Sequence, residues 1–384
     1  MTLMTELAKV VCAELPCDNG CFIGHVSLHK PAALNAIDSE MIALLHEQLQ
    51  RWQHNPAICM VLLDSQSDKA FCAGGDVVAM YHAMQAHDKK SDEVPAELAH
   101  FFTHEYQLDY LIHTYAKPIL CWGHGIVMGG GLGLMSGASH RIVTQTSRIA
   151  MPEITIGLYP DVGGSYFLNK MPAGCGLFLG LTAASLNAAD ALYCNLADYY
   201  LPHETKDAFL TVLQKADWRI AAEQNHVLLT QLCQHQASYV SEEASPALLP
   251  AMQAKLDALA QCDDLRSAVK QIESWPSADN SWLRKAQATL AAGSPISAHL
   301  VFEQLKRGAT MSLADCFKME LIMSCRCGML GEFQEGVRAL LVDKDRAPSW
   351  LYSTLEDVPQ TCIDSFFTSP WRDGKHPLTN LGQD

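Results

Sequence analysis

The sequence predicts an α/β domain with parallel strand pairing, continued by a helical C-terminal region. Three observations carry that prediction. Up to Pro202, short apolar or alternating runs are each followed by a segment of helical spacing, the texture of repeated strand–helix units. Two glycine-rich stretches, residues 72–76 and 129–133, each stand between a strand pattern and a helix pattern. From Glu204 to about Leu341 the chain is rich in Ala, Leu, Gln and Glu with few β-branched runs, which reads as successive helices.

Each element has its own reason. Residues 21–28 place Phe22, Gly24, Val26 and Leu28 on one face of a strand. Asp38 and Ser39 offer an N-cap, after which Met41, Leu45, Leu49 and Trp52 recur at helical spacing up to Gln53. Residues 57–63 are a short, solidly apolar run, the mark of a strand buried on both faces. A polar loop then reaches the first glycine turn and a helix after it. The unit recurs as a strand over 118–122 with a helix over 129–138, then as strands near 141–144 and 148–151. Further on, Gly293, Ser294 and Pro295 punctuate the chain, and Ser294 is expected to cap a helix running through Leu305. The last forty or so residues carry Pro348, Pro359, Pro370 and Pro377 and read as a wrapped tail. At roughly 100–200 residues per domain, a chain of 384 residues permits two or three. The expected divisions are a core over 15–202, a helical region over 203–345 and a tail over 346–384.

Composition narrows the function. Apolar residues make up 49% and charged residues 18%, which excludes a disordered or fibrous chain. Net charge is 27 − 42 = −15, and a surface of that sign repels a phosphate backbone, so no nucleic-acid partner is expected. Residues 1–14 lack a basic region followed by an apolar one and do not read as a signal peptide. The uncharged stretch 118–140 holds seven glycines and His124, a poor membrane span. The fourteen cysteines are expected as free thiols of a reducing, cytoplasmic compartment. No CxxC pair exists, and Cys12, Cys17 and Cys21 have no histidines at zinc-ligand spacing, so no metal is expected.

The chemistry gathers around the glycines and three carboxylates. Glycine lets main-chain N–H groups approach a ligand closely, and a helix N-terminus adds partial positive charge. Two such turns in one domain fit an oxyanion hole or simply tight helix–strand packing, and the residues alone do not choose. A dinucleotide fingerprint fails, because GxGxxG begun at Gly123 meets Met128 and begun at Gly131 meets Ser136. Glu105 lies on the apolar helical stripe of Leu98, Phe101, Phe102, Leu108 and Ile112, where a carboxylate is paired or used. Asp161 can be read as a helix cap near Gly163; Glu153 has no such local role. No GxSxG elbow exists, and Cys72 lacks an evident histidine partner, so it reads as a packed thiol.

Longer motifs then identify the chain with a family. AFCAGGD at 70–76 together with HGIVMGGGLGL at 124–134 resembles the crotonase, or enoyl-CoA hydratase/isomerase, superfamily. MPEITIGLYPDVGGSYFL at 151–168, MELIMSCRC at 319–327, GEFQEGVRALLVDKD at 331–345 and APSW at 347–350 resemble its 3-hydroxyisobutyryl-CoA hydrolase family. The resemblance spans roughly residues 20–355. It implies a crotonase-like spiral of ββα turns and an acyl-CoA thioester substrate, with no cofactor beyond the coenzyme A of that substrate. It implies catalytic roles for Glu153, Asp161 and the amides of Gly75 and Gly130. Substrate contacts are implied for Glu105, Glu153 and Asp161, and for Cys72, Ala73, Gly74 and Gly75 on the adenine and pantetheine side. Hydratases carry a glutamate three residues after the second oxyanion glycine; here Gly133 stands there, as it does in the hydrolases. The implied activity is hydrolysis of a short 3-hydroxyacyl-CoA, a step of valine catabolism. An enoyl-CoA isomerase or hydratase, or a non-catalytic acyl-CoA-binding protein, are the alternatives. Lys30 is a candidate for the CoA phosphates or a solvated loop lysine, and a homo-oligomer is left open.

Overall fold

The computed structural model describes residues 9–87, 93–219, 221–238, 246–371 and 375–383. Residues 1–8, part of the segment read for a leader, lie outside them. Nine strands are present among the described residues: β1 Val10–Pro16, β2 Phe22–Leu28, β3 Ile58–Ser65, β4 Ala70–Cys72, β5 Ile119–Gly123, β6 Ile126–Met128, β7 His140–Val143, β8 Arg148–Ala150 and β9 Tyr199–Tyr200. They form a six-stranded sheet in the order β1-β2-β3-β5-β7-β9 and a three-stranded sheet in the order β4-β6-β8. The β1–β2 pair is antiparallel, and the other described pairs of the large sheet are parallel.

The spiral is visible in that order. Chain direction alternates between the two sheets, so β3 then β4, β5 then β6, and β7 then β8 each place one strand in the large sheet and the next in the small one. The first two pairs run into helices α2, Val77–Ala86, and α4, Gly130–Ser136; the third runs into the turn Glu153–Ile156. Every residue of β3 and β5 is buried, as expected of parallel strands covered on both faces. Helix α1, Ser39–His54, starts where the cap was expected: the Asp38 carboxylate accepts from the Met41 amide at 3.0 Å. Strand β1 was not foreseen; half-buried and exposed residues alternate along it, as on an edge strand.

Packing divides the chain into two compact units, each drawn from three separated stretches. One comprises Met1–Gly75, Leu108–Ile149 and Leu186–Ala247; the other comprises Asp76–Gln107, Ala150–Ser185 and Leu248–Asp384. The first contains the large sheet. The second holds most of helix α3, Ala96–His113, and the helices Pro295–Gly308 and Leu313–Leu330. Ser294 caps the first of those two helices by accepting from the Ser297 amide at 3.0 Å. No helix among the described residues is long and apolar enough to cross a membrane.

Candidate active site

In the first unit the two glycine turns come together, backbone against backbone. Gly74 has φ +115°, and a Cβ there would stand 3.3 Å from the Met128 carbonyl oxygen and 3.8 Å from the Gly130 nitrogen. A Cβ on Gly131 would fall 2.3 Å from the Cys72 carbonyl oxygen, a distance no side chain tolerates. Packing and ligand approach therefore use different glycines of the same turns. Gly130 is the first residue of α4, where an amide has no intrahelical acceptor. The Gly75 amide meets no acceptor among the described residues, while the Gly74 carbonyl beside it accepts from the Ile37 amide at 2.9 Å. Asn35 pins the first turn from below: its Nδ2 donates to the Ala70 and Phe71 carbonyls at 3.0 Å each. Cys72 is buried with its Sγ 3.6 Å from the Gly74 carbonyl oxygen, a packed thiol as its sequence context suggested.

The second unit brings the carboxylates. Glu153 opens its turn directly after Pro152 and is 4% exposed; Glu105 on α3 is 2% and Asp161 4% exposed. Burial raises the Glu153 carboxyl well above the ordinary carboxylate range, and the charge of Asp161 raises it further. Its Oε2 is enclosed and has no hydrogen-bond partner among the described residues. Asp161 is raised to about 7 by burial, against the opposing pull of a hydrogen bond from Tyr106. The Tyr106 hydroxyl donates to Asp161 Oδ2 at 2.7 Å. Glu105 is buried, as are Leu98, Phe101, Phe102, Leu108 and Ile112 of the same helix, the stripe on which its spacing placed it.

The helix-cap reading of Asp161 does not hold for its side chain. The short helix Gly164–Phe167 has Gly163 at its N-cap with no side-chain cap, and only the Asp161 backbone carbonyl takes part, accepting from the Gly164 amide at 2.7 Å. What holds this loop is a residue the motif reading passed over. Glu320 accepts from the Gly163 amide through Oε2 and from the Ser165 amide through Oε1, both at 2.8 Å. Burial raises Glu320 to about 8. Four residues on, Ser324 Oγ lies 2.7 Å from the Tyr106 hydroxyl and 2.8 Å from the Tyr159 hydroxyl. Tyr159 also donates to the Glu320 carbonyl at 2.6 Å. The available signal was a carboxylate at 320 between the apolar neighbours Cys316, Phe317 and Leu321, the same signal that singled out Glu105. Lys30 is half-buried, and its Nζ pairs with Asp38 at 2.9 Å.

A chain with this alternating spiral and an enclosed glutamate belongs to a known class. Residues 23–367 match the family described as enoyl-CoA hydratase/isomerase, and the chain is a member of it. Within that class it is similar to the mitochondrial 3-hydroxyisobutyryl-CoA hydrolases of Xenopus tropicalis, 35% identical over 350 residues, 91% of this chain and 87% of that one, and of Danio rerio, 35% identical over 346 residues, 90% and 87%. A solved carnitinyl-CoA dehydratase from Mycobacterium thermoresistibile superposes with a TM-score of 0.80 at 31% identity, covering 97% of this chain and 99% of that chain. The crotonase fold and the hydrolase resemblance read from the motifs both hold. The cytoplasmic location does not, since the hydrolase relatives are mitochondrial proteins.

Proposed function

We propose that the chain hydrolyses the thioester of a short 3-hydroxyacyl-CoA, 3-hydroxyisobutyryl-CoA first among them, releasing the hydroxy acid and coenzyme A. The observation that carries this is Glu153. A buried carboxylate with an unpartnered oxygen opposes folding, and a strongly raised acid of this kind marks a functional position. The acyl group comes from what the similar hydrolases are named for, and valine breakdown is the setting that goes with it.

Attack on the thioester carbonyl moves an electron pair onto its oxygen. The motif match assigns the amides of Gly75 and Gly130 to that oxygen, and losing one such donor costs roughly 10²–10³ in rate. Glu153 takes a proton from the attacking water as the C–O bond forms, then delivers it to the sulfur as the C–S bond breaks. Its raised pKa makes it the stronger base. In the other route Glu153 itself attacks and water opens the resulting anhydride. Asp161 and Glu105 orient the substrate's 3-hydroxyl by hydrogen bonding. With Gly133 in place of the second hydratase carboxylate, hydration of a double bond lacks one of its two acid/base groups. The reaction draws on no further cofactor.

Thiol release measured across a panel of short acyl-CoA esters tests the reading. Fastest release from 3-hydroxyisobutyryl-CoA is expected, with 3-hydroxypropionyl-CoA near it; binding without release would make the chain an acyl-CoA-binding scaffold instead. A single turnover in ¹⁸O-water separates the routes: label in the Glu153 peptide requires the anhydride.

A further inference from the structure

Three cysteines from two separate stretches of the chain meet at one end of the large sheet. Cys17 and Cys21 bracket the five-residue turn between β1 and β2, and Cys59 lies in β3. Their sulfurs all lie within 4.8 Å of one another. The pairing register shows how Cys59 gets there. Phe22 pairs with Ile58 and Ile23 with Met60, so Cys59 is the extra residue of a bulge, the device by which a strand re-aims a side chain. Its Sγ approaches the Phe22 carbonyl at 3.2 Å. The turn is held in shape by backbone bonds from Cys17 to Cys21 at 2.9 Å and from Gly20 to Cys17 at 3.0 Å. Asn19 ties it to the rest of the unit by donating to the Trp218 carbonyl at 2.7 Å.

We propose that Cys17, Cys21 and Cys59 form a binding site for one soft, closed-shell metal ion of the copper(I) or zinc type, held by three sulfurs. Thiolates select such ions over hard cations. Three sulfurs each about 2.3 Å from a common centre stand roughly 4 Å apart, a small contraction from the spacing present. No imidazole or carboxylate belongs to the group among the described residues, so the site is all-sulfur and three-coordinate. Access is from the turn: Cys17 and Cys59 are buried, Cys21 is half-buried, and Asp18, Asn19 and Gly20 are exposed. Asp18 acts on Cys17 with its negative charge, and that charge draws a cation to the opening. Binding releases one proton per ligating thiol to solvent and transfers no electrons.

The bland account is a cluster of packed thiols, and it is distinguishable. In a background carrying Cys12→Ser, Cys262→Ser and Cys362→Ser, which removes the other exposed and half-buried thiols, the reduced chain is titrated separately with zinc and with copper(I) against a chromophoric chelator. One ion per chain and a sulfur-only shell in X-ray absorption are expected; the arm that binds more tightly names the ion. Cys21→Ser, at the half-buried position, should weaken binding by more than the 10–100-fold that losing an outer partner costs, without changing the far-ultraviolet circular dichroism or melting of the metal-free protein. Binding that survives Cys21→Ser and Cys59→Ala together, or no stoichiometric binding of either ion, would overturn the site. So would dithiol oxidation as the sole response of these residues. The measurement uses no turnover, so its outcome is independent of the hydrolase reading.

Discussion

Tyr106 on α3 donates its phenolic proton to Asp161 across 2.7 Å, although 55 positions separate them in the chain. That bond favours the charged carboxylate and lowers a pKa that burial otherwise drives upward. The same hydroxyl reaches Ser324, and through it Tyr159. The Asp161 side chain is thus tied to a buried polar chain as well as to its own loop. Tyr106→Phe removes the donor and keeps the ring. The upward leg of the pH–rate profile should move to higher pH, and kcat/KM for the 3-hydroxyacyl ester should fall about 10-fold or more, the scale of one hydrogen bond to a charged group. An unchanged profile with only a lower Tm would reduce Tyr106 to packing.

Glu153→Gln separates chemistry from folding because the two effects have opposite sign. Turnover should fall by at least ~10²-fold, the lower end for a positioned acid/base. Stability near pH 8 should hold or rise, since a buried carboxylate with an unpartnered oxygen gives way to a neutral group. Kinetics and thermal melting on one preparation check both; near-normal turnover in a folded variant removes Glu153 from the mechanism.

Asp161→Asn should slow hydrolysis of 3-hydroxyacyl-CoA more than that of the unsubstituted acyl-CoA, because only the former offers a hydroxyl to read. Equal losses on both would assign Asp161 to the loop. Glu105→Gln, from its buried place on α3, should show the same selectivity, and a change in Tm alone would make it structural.

Stability should fall as pH rises. Asp161 at about 7 and Glu320 at about 8 are raised by burial from unfolded values near 4, so the folded state holds protons that the unfolded chain has already lost. Their contribution is fully present below about pH 4 and is lost as pH passes through about 7 and 8. A series of melts from about pH 5 to 9 should show Tm decreasing, and Glu320→Gln should flatten the upper part of the fall. A Tm that climbs across this range contradicts the assignment.

Hydration of crotonyl-CoA should be at least ~10²-fold slower than thiol release from 3-hydroxyisobutyryl-CoA, the contribution of one general acid/base. Gly133, inside α4, supplies no carboxylate to hold the water. Loss of the enoyl absorbance and appearance of thiol are compared at equal enzyme concentration. Hydration that matches thiol release returns the chain to the hydratases.

Local pattern alone determined the repeated elements here. Asp38 before Met41, Leu45 and Leu49, the solid apolar run of β3, and Ser294 before Pro295 each set an element through groups within a few residues of one another. The glycine turns and Glu153 were legible as motifs for the same reason: their identity is written in consecutive residues. Tertiary structure decided which distant side chains meet around the carboxylates. Tyr106, Tyr159, Ser324 and Glu320 have no local signature, because their hydroxyls and carboxylate find partners as many as 218 positions away. Cys59 joins Cys17 and Cys21 only through a one-residue bulge in the β2–β3 register. Such meetings depend on how strands align and helices pack, and burial then sets the proton affinity of each group; neither quantity is carried by the order of residues along one segment.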